Sequence, residues 1–65
     1  MKKAQNIQVG RRYIYRALSD DCKYHQYEVE VSEVFDDEVA KVFKVGEDHQ
    51  TGKNVWITNL YEIES

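Results

Sequence analysis

The chain has 65 residues, of which 42% are apolar, and a formal net charge of −3. This length suits one small domain, near the lower limit at which a single core outweighs chain entropy. No stretch approaches the ~18 apolar residues of a membrane-spanning helix, which excludes that class and predicts no membrane partner. Eight Val and four Ile against two Leu, with five Tyr, are typical of pleated strands. We therefore expect one all-β domain over residues 1–65.

Cysteine usage and charge distribution give further expectations. Cys22 is the one cysteine, so no internal disulfide can form, and residues 1–6 are basic with no apolar stretch behind them. Both features favour a cytoplasmic location, and we expect residues 1–6 to form a flexible lead. Residues 1–16 carry +5 and the remainder −8. This asymmetry either steers a charged partner or pairs a basic first strand with an acidic neighbour, and we favour the second interpretation.

The first predicted strand covers residues 12–17. Alternation places Tyr13, Tyr15 and Ala17 on one face of this strand and its polar positions mostly on the other. The residues that follow have no clean periodicity and are rich in turn formers, which predicts a loop of about nine residues over 18–26. It is the longest predicted connection, and loops of that length are often functional.

The second predicted strand covers residues 27–35, where apolar and acidic or polar side chains alternate as in a sheet with one solvated side. The phase breaks after Val31. The next residue on the same face is Glu33, although apolar character resumes only at Val34. We therefore expect a β-bulge or a sharp bend near Ser32 and Glu33, which would let a small sheet wrap on itself.

A tight turn at Asp36 and Asp37 leads into the third predicted strand, residues 38–45. Apolar residues of that strand occupy both parities, which predicts a strand buried on both sides or twisted across a barrel. Residues 46–52 are polar and bounded by glycines, and they predict a hairpin loop. The fourth predicted strand then covers residues 53–58.

The fourth predicted strand has Trp56 on its outer side by alternation. Residues 59–63 then predict a one-turn connector and a short closing strand, with Leu60 and Ile63 as buried plugs. The chain contains no proline, so every strand is free to donate its ladder hydrogen bonds.

The features that carry a family resemblance are Gly10 before a Tyr-containing strand, a long loop, two hairpin-linked central strands, a Gly-flanked turn, and a final turn with Leu60-Tyr61-Glu62-Ile63. This pattern resembles a Src-homology-3-like (SH3-like) barrel of the Tudor type over residues 7–64. The resemblance implies a small five-stranded barrel made from a strongly bent antiparallel sheet, with loop-borne aromatics for recognition. Members bind proline-rich peptides, methylated side chains or nucleic acid. The proline-binding subgroup has a Trp-Trp or Trp-Pro arrangement, from which this chain departs because it has one Trp and no Pro.

Three sets of surface residues are candidates for binding. Aromatic rings attract cations and stack on bases at about 1–3 kcal/mol per contact, acidic groups dock on basic protein surfaces, and clustered cations hold phosphates. The aromatic candidates, expected to converge at one end of the barrel, are Tyr15, Tyr24, Trp56 and Tyr61. The acidic candidates are Glu28, Glu30, Asp36 and Asp37. The candidates for nucleic-acid binding are Arg11, Arg12 and Arg16.

Each set also has an ordinary structural explanation. The rings can fill the core or a strand face, the acids can form a solvated strand face, and the arginines can pair within the fold. Cys22 and His25, with His49 elsewhere, supply a thiolate and imidazoles, but a structural zinc site uses four paired ligands and a nucleophile needs an oriented base. We therefore expect no metal, no cofactor and no enzymatic activity.

These observations favour a non-catalytic binding module of bacterial or phage accessory type, which binds a protein through an acidic strand face and an aromatic end of the barrel. The alternative is a nucleic-acid-binding Tudor-like domain that uses the basic first strand. The twelve acidic residues oppose that alternative, because they repel a polyanion over most of the surface. A monomer and an edge-paired homodimer are both compatible with a core this small.

Overall fold

The computed structural model describes residues 2–48 and 51–63, which form a strongly curled, open antiparallel sheet of five strands. In chain order the strands are β1 (Arg12–Leu18), β2 (Tyr24–Val34), β3 (Val39–Lys44), β4 (Lys53–Trp56) and β5 (Leu60–Tyr61). Their order in the sheet is β4-β3-β2-β1-β5, so β4 and β5 lie at its two edges. The predicted all-β class is confirmed, and this half-barrel is compatible with an SH3-like fold. Within the described residues, no helix has the length and apolarity needed to cross a bilayer.

The concave face of the half-barrel carries the core. Tyr13 of β1 lies opposite Val29 of β2, and Val31 lies opposite Val42 of β3. These four side chains are at most 1% exposed, as is Leu60 of β5. Every second residue of a strand lies on the same face, so one register gathers these residues into a single cluster.

A bulge in β2 lies where the sequence phase breaks. The pairing with β3 passes from Val31 opposite Val42 to Glu33 opposite Lys41, which leaves Ser32 as an extra residue. The Ser32 hydroxyl donates a hydrogen bond to the Lys41 carbonyl at 3.2 Å. The predicted bulge is therefore confirmed. It bends β2 at Ser32, which helps the sheet to curl.

The connection between β1 and β2 is shorter than predicted. β1 continues to Leu18, which pairs with Tyr24, so the loop covers residues 19–23 instead of 18–26. The Ser19 N–H closes the loop by donating to the Lys23 carbonyl at 2.8 Å. The ends of both strands are mostly solvent-exposed, so they carry no hydrophobic alternation from which their pairing can be predicted.

The closing segment also differs from the prediction. Residues 57–59 form a 3-10 turn rather than the end of β4. Leu60 is buried as predicted, but Ile63 is 42% exposed and is not a core plug. Ala4 packs there instead, at 8% exposure, and its N–H donates to the Leu60 carbonyl at 2.9 Å. The lead predicted to be flexible thus contributes a buried side chain beside β5, which a lone alanine in a polar segment does not signal.

The difference in burial between Leu60 and Ile63 is testable. Leu60→Ala should lower the free energy of unfolding by about 2–5 kcal/mol, because it removes a fully buried side chain and leaves a cavity. Ile63→Ala is the matched control and should cost less than about 1 kcal/mol. Urea unfolding followed by circular dichroism measures both, and equal losses would contradict this assignment of the core.

Candidate functional site

The four aromatic candidates are divided between the two faces of the sheet. Tyr15 lies on the concave face, directly opposite Tyr27 of β2. Tyr24, Trp56 and Tyr61 each neighbour a concave-face residue along their strand, so they lie on the convex face. Tyr24 is 62% exposed and Trp56 is 58% exposed. The structure thus pairs Tyr15 with Tyr27, which was not among the candidates, instead of gathering the four predicted rings.

The basic first strand is paired with acidic residues on the convex face. Arg12 lies between two carboxylates of β2, 3.5 Å from Glu28 and 3.4 Å from Glu30. Arg11 forms an ion pair with Glu62 at 3.0 Å. The two Arg12 pairs follow from register, because Arg12 is opposite Glu30 and diagonal to Glu28. The charges of neighbouring strands therefore offset one another here.

Arg16 has an aromatic partner instead. Its guanidinium carbon lies 4.1 Å from the centre of the Tyr24 ring, a cation–π pair near the end of the β1–β2 hairpin. All three arginines considered for nucleic-acid binding are thus engaged within the chain, and so are two of the four acidic candidates. Neither Glu28 nor Glu30 presents an unpaired charge to a partner.

An exposed apolar row crosses the convex face at the other side of the sheet. Val39 of β3 lies directly opposite Trp56 of β4, and the Phe35 N–H donates to the Val39 carbonyl at 3.0 Å. Phe35 is 48% exposed and Trp56 is 58% exposed. We call Phe35, Val39 and Trp56 the apolar row. Phe35 and Trp56 thus lie on either side of Val39 with their rings exposed.

Three acidic residues lie along the chain between Phe35 and Val39 of the apolar row. Asp36 forms the predicted turn between β2 and β3, where its Oδ1 accepts the N–H of Glu38 at 2.7 Å and that of Val39 at 2.9 Å. Asp37 and Glu38 are exposed in the same turn. In the described part of the chain, no lysine or arginine lies within 4.0 Å of any of these three carboxylates. The row is therefore apolar at its centre and negatively charged at its border.

The row ends at an open sheet edge. β4 pairs with β3 on one side, and no other strand among residues 2–48 and 51–63 pairs with its outer side. The Ile57 N–H donates to the Glu38 carbonyl at 2.8 Å. Since hydrogen bonding alternates along an antiparallel strand, the N–H groups of Asn54 and Trp56 point away from β3. The edge can therefore pair with an additional strand.

The concave face has a second feature, at the end beyond the core. The rings of Tyr15 and Tyr27 lie 5.4 Å apart, centre to centre, with an angle of 50° between their planes. The Lys53 ammonium is 4.6 Å from the Tyr15 ring centre and 5.3 Å from that of Tyr27. The Lys44 ammonium is 5.2 Å from the Tyr27 ring centre. We call these four residues the tyrosine–lysine groove.

Two adjoining hollows form this groove, and both are lined by Tyr27 and Lys53. The first has a volume of about 290 Å³, and its other lining residues are Tyr15, Ala17, Leu18, Ser19 and His25. The second has a volume of about 270 Å³, and its other lining residues are Val29, Val42, Phe43, Lys44, Glu47 and Thr51. Within the described chain, no carboxylate lies within 4.0 Å of either lysine ammonium.

The loop beside the first hollow carries a perturbed carboxyl group. The Ser19 hydroxyl donates a hydrogen bond to Asp21, and this bond is the main cause that lowers the pKa of the Asp21 carboxyl below its ordinary value. A hydrogen bond to the ionised form favours that form, so Asp21 keeps its negative charge to lower pH than a free aspartate.

The cysteine and histidine candidates are not gathered into a site. Cys22 is exposed and lies in the loop between β1 and β2, and His25 lines the first hollow. Over the described ranges, no three His, Cys, Asp or Glu side chains are placed to hold a metal ion. His49 lies outside the described residues.

No family model, curated protein or solved structure matches this chain. The apolar row on the convex face and the tyrosine–lysine groove on the concave face each combine aromatic rings with charged groups.

The cross-strand charges predict a small effect on stability. Arg12→Ala should lower the free energy of unfolding by less than about 1 kcal/mol, because the Arg12 side chain is 55% exposed and exposed ion pairs are screened by solvent. Adding 1 M NaCl should reduce the difference in free energy of unfolding between Arg12→Ala and the parent chain, because salt screens the ion pairs. A loss of several kcal/mol in urea unfolding would show instead that Arg12 organises the sheet.

The Asp21 hydrogen bond predicts a titration shift. Ser19→Ala should raise the Asp21 pKa towards its ordinary value, because the main group that stabilises the carboxylate is gone. Since the folded pKa is lowered, whatever this bond contributes to stability is present at neutral pH and is lost as pH falls through that pKa. NMR titration of the carboxyl carbon measures the shift, and an unchanged Asp21 pKa would contradict the assigned cause.

Proposed function

We propose that the chain is an SH3-like, Tudor-type interaction module that acts in the cytoplasm as an accessory protein of bacterial or phage type. In this proposal it is not an enzyme and needs no cofactor. It binds a partner protein through the apolar row and its acidic border. The observation that carries the proposal is the exposure of Phe35 and Trp56 beside three carboxylates that have no cationic partner in the described chain.

The chemistry of this surface selects one kind of partner. Apolar side chains at the centre favour burial against apolar groups. The carboxylates of Asp36, Asp37 and Glu38 favour lysine or arginine at the rim, where charge complementarity speeds encounter and sets orientation. The face of Trp56 adds attraction for a cation. The partner segment is therefore basic and partly apolar.

The open edge of β4 supports an extended conformation for that segment. The outward N–H groups of Asn54 and Trp56 can donate hydrogen bonds to the carbonyls of an added strand, while its alternate side chains contact the row. A second copy of this chain is a less suitable occupant of the edge, because two chains of net charge −3 repel one another. We therefore propose a heterologous basic segment as the occupant.

The structure also changes which acidic residues belong to the proposed site. Asp36 and Asp37 stay in it, because they border the apolar row. Glu28 and Glu30 leave it, because Arg12 holds their charges on the opposite part of the convex face. These two pairs of acids provide a matched comparison within one chain.

The proposal predicts selective binding of a basic extended peptide. Trp56 is the only tryptophan, so its fluorescence reports on the row directly. An alternating Lys–Val peptide should shift the Trp56 emission to shorter wavelength and saturate, since the ring loses contact with water. An alternating Glu–Val peptide of equal length should not bind. Equal binding of both peptides, or of neither, would contradict the proposal.

Charge variants separate the two acidic pairs. Asp36→Asn with Asp37→Asn should weaken Lys–Val binding about fivefold or more, because rim charges are removed while an amide oxygen can still accept the turn hydrogen bonds. Glu28→Gln with Glu30→Gln is the control and should leave the affinity unchanged. If the control pair weakens binding as much, the site is the acidic strand face of β2 instead. Sedimentation of the free protein as a single chain confirms that the β4 edge is available.

A further inference from the structure

The tyrosine–lysine groove lies on the concave face and has the opposite charge from the apolar row. Lys44 and Lys53 both place their ammonium groups near the ring of Tyr27, at 5.2 and 5.3 Å from its centre. In the described chain neither ammonium has a carboxylate within 4.0 Å, whereas Arg12 pairs with two carboxylates on the convex face. A protein of net charge −3 thus keeps two cations unneutralised at the mouth of its half-barrel.

We propose that this groove binds a nucleoside phosphate, either free or as a unit of single-stranded nucleic acid. The phosphate contacts the ammonium groups of Lys53 and Lys44, and the base lies against Tyr15 and Tyr27. The site is separate from the arginines of β1, which are engaged with other side chains. It does not depend on the protein partner proposed above.

The lysines suit a phosphate because they are held in place before a ligand arrives. Each ammonium rests against at least one tyrosine ring, and Lys53 rests against two. Such cation–π contacts restrict the long side chains, so less conformational entropy is lost on binding. A ring has no anionic group to neutralise the ammonium, so the positive charge stays available to a ligand. Two such cations together favour the doubly charged phosphate.

The position of the phosphate follows from the other charged groups. Glu47 lines the second hollow with Lys44 and repels an anion at that end. Lys53 belongs to both hollows, and the lining of the first hollow contains no carboxylate. The phosphate is therefore placed at Lys53, on the side of the first hollow. His25 also lines this hollow and adds no negative charge.

The base is assigned to the first hollow because of its lining. Tyr15, Tyr27, Ala17 and Leu18 supply aromatic and aliphatic surface, and Ser19 supplies a hydroxyl. Tyrosine rings stack on bases with little preference for sequence. The hollows, of about 290 and 270 Å³, together fall in the ~300–1,000 Å³ range of small-molecule sites. The acidic remainder of the surface disfavours a long polyanion, so the ligand is one nucleotide or a short single strand.

Two probes and one control anion test the proposal. Adenosine 5′-monophosphate and inorganic phosphate are titrated into isotope-labelled protein and followed by amide NMR shifts. A fluorescein-labelled decathymidylate is followed by fluorescence anisotropy. We expect saturable binding of the nucleotide with shifts at Tyr15, Tyr27 and Lys53, and weaker binding at higher salt. If the oligonucleotide binds more than tenfold more tightly than the mononucleotide, the natural ligand is a single strand. If the two affinities are similar, the natural ligand is the free nucleotide.

Matched variants locate the site. Lys53→Gln and Lys44→Gln should each weaken nucleotide binding about fivefold or more, and Tyr27→Leu should do the same while Tyr27→Phe retains binding. Lys41→Gln is the control, because Lys41 lies on the convex face opposite Glu33. Circular dichroism confirms that each variant is folded.

Three results would overturn the proposal. The first is no saturable binding of either nucleotide probe by the parent protein at millimolar concentration. The second is inorganic phosphate binding as tightly as the mononucleotide, which would leave no role for the tyrosines. The third is Lys41→Gln weakening binding as much as Lys53→Gln. None of these results bears on peptide binding, which is measured by Trp56 fluorescence on the convex face.

Discussion

The pairing of β1 with β2 is the constraint on which the other features of the sheet depend. Tyr13 opposite Val29 and Tyr15 opposite Tyr27 put one set of alternating residues on the concave face. A shift of one residue would turn all of these side chains outwards and bring the arginines into the core, so the register is strongly specified. The same register places Arg12 beside the carboxylates of β2. The Tyr13–Val29 part of the core, the Arg12 charge pairs and the Tyr15–Tyr27 pair thus follow from a single alignment of two strands.

The curl of the sheet gives the two faces different chemistry. The concave face is closed at its centre by the side chains of Tyr13, Val31 and Leu60, which are at most 1% exposed. Towards the Tyr15 end the buried cluster gives way to Tyr15 and Tyr27, which are partly buried and pack against it, and to Lys53. The convex face has no core to cover, so it carries ion pairs at one side and the apolar row at the other. A chain this small therefore presents two separate surfaces of opposite charge.

Charge pairing decides which polar residues remain available. Arg12 and the carboxylates of Glu28 and Glu30 offset one another at distances of 3.4 to 3.5 Å, which contributes little to stability but leaves neither acid with an unpaired charge. Asp36, Asp37 and Glu38 follow one another in the turn after β2, and none of the three forms an ion pair within the described chain. Lys44 and Lys53 form no ion pair within the described chain, and tyrosine rings hold their ammonium groups. Net charge alone would have suggested a uniformly acidic surface.

The sequence by itself determined the all-β class, the bulge after Val31, the Asp36 turn and the outward position of Trp56. Each of these features depends on neighbours along the chain. The signal is a hydrophobic period of two, a break in that period, or a turn-forming residue. Tertiary structure alone decided that Ala4 replaces Ile63 beside β5, that the β1–β2 loop covers only residues 19–23, and that Tyr27 joins Tyr15 and Lys53 in the groove. Those features depend on which strands pair and how far the sheet curls. Side chains distant in sequence meet only when that geometry is formed, and no local pattern records it.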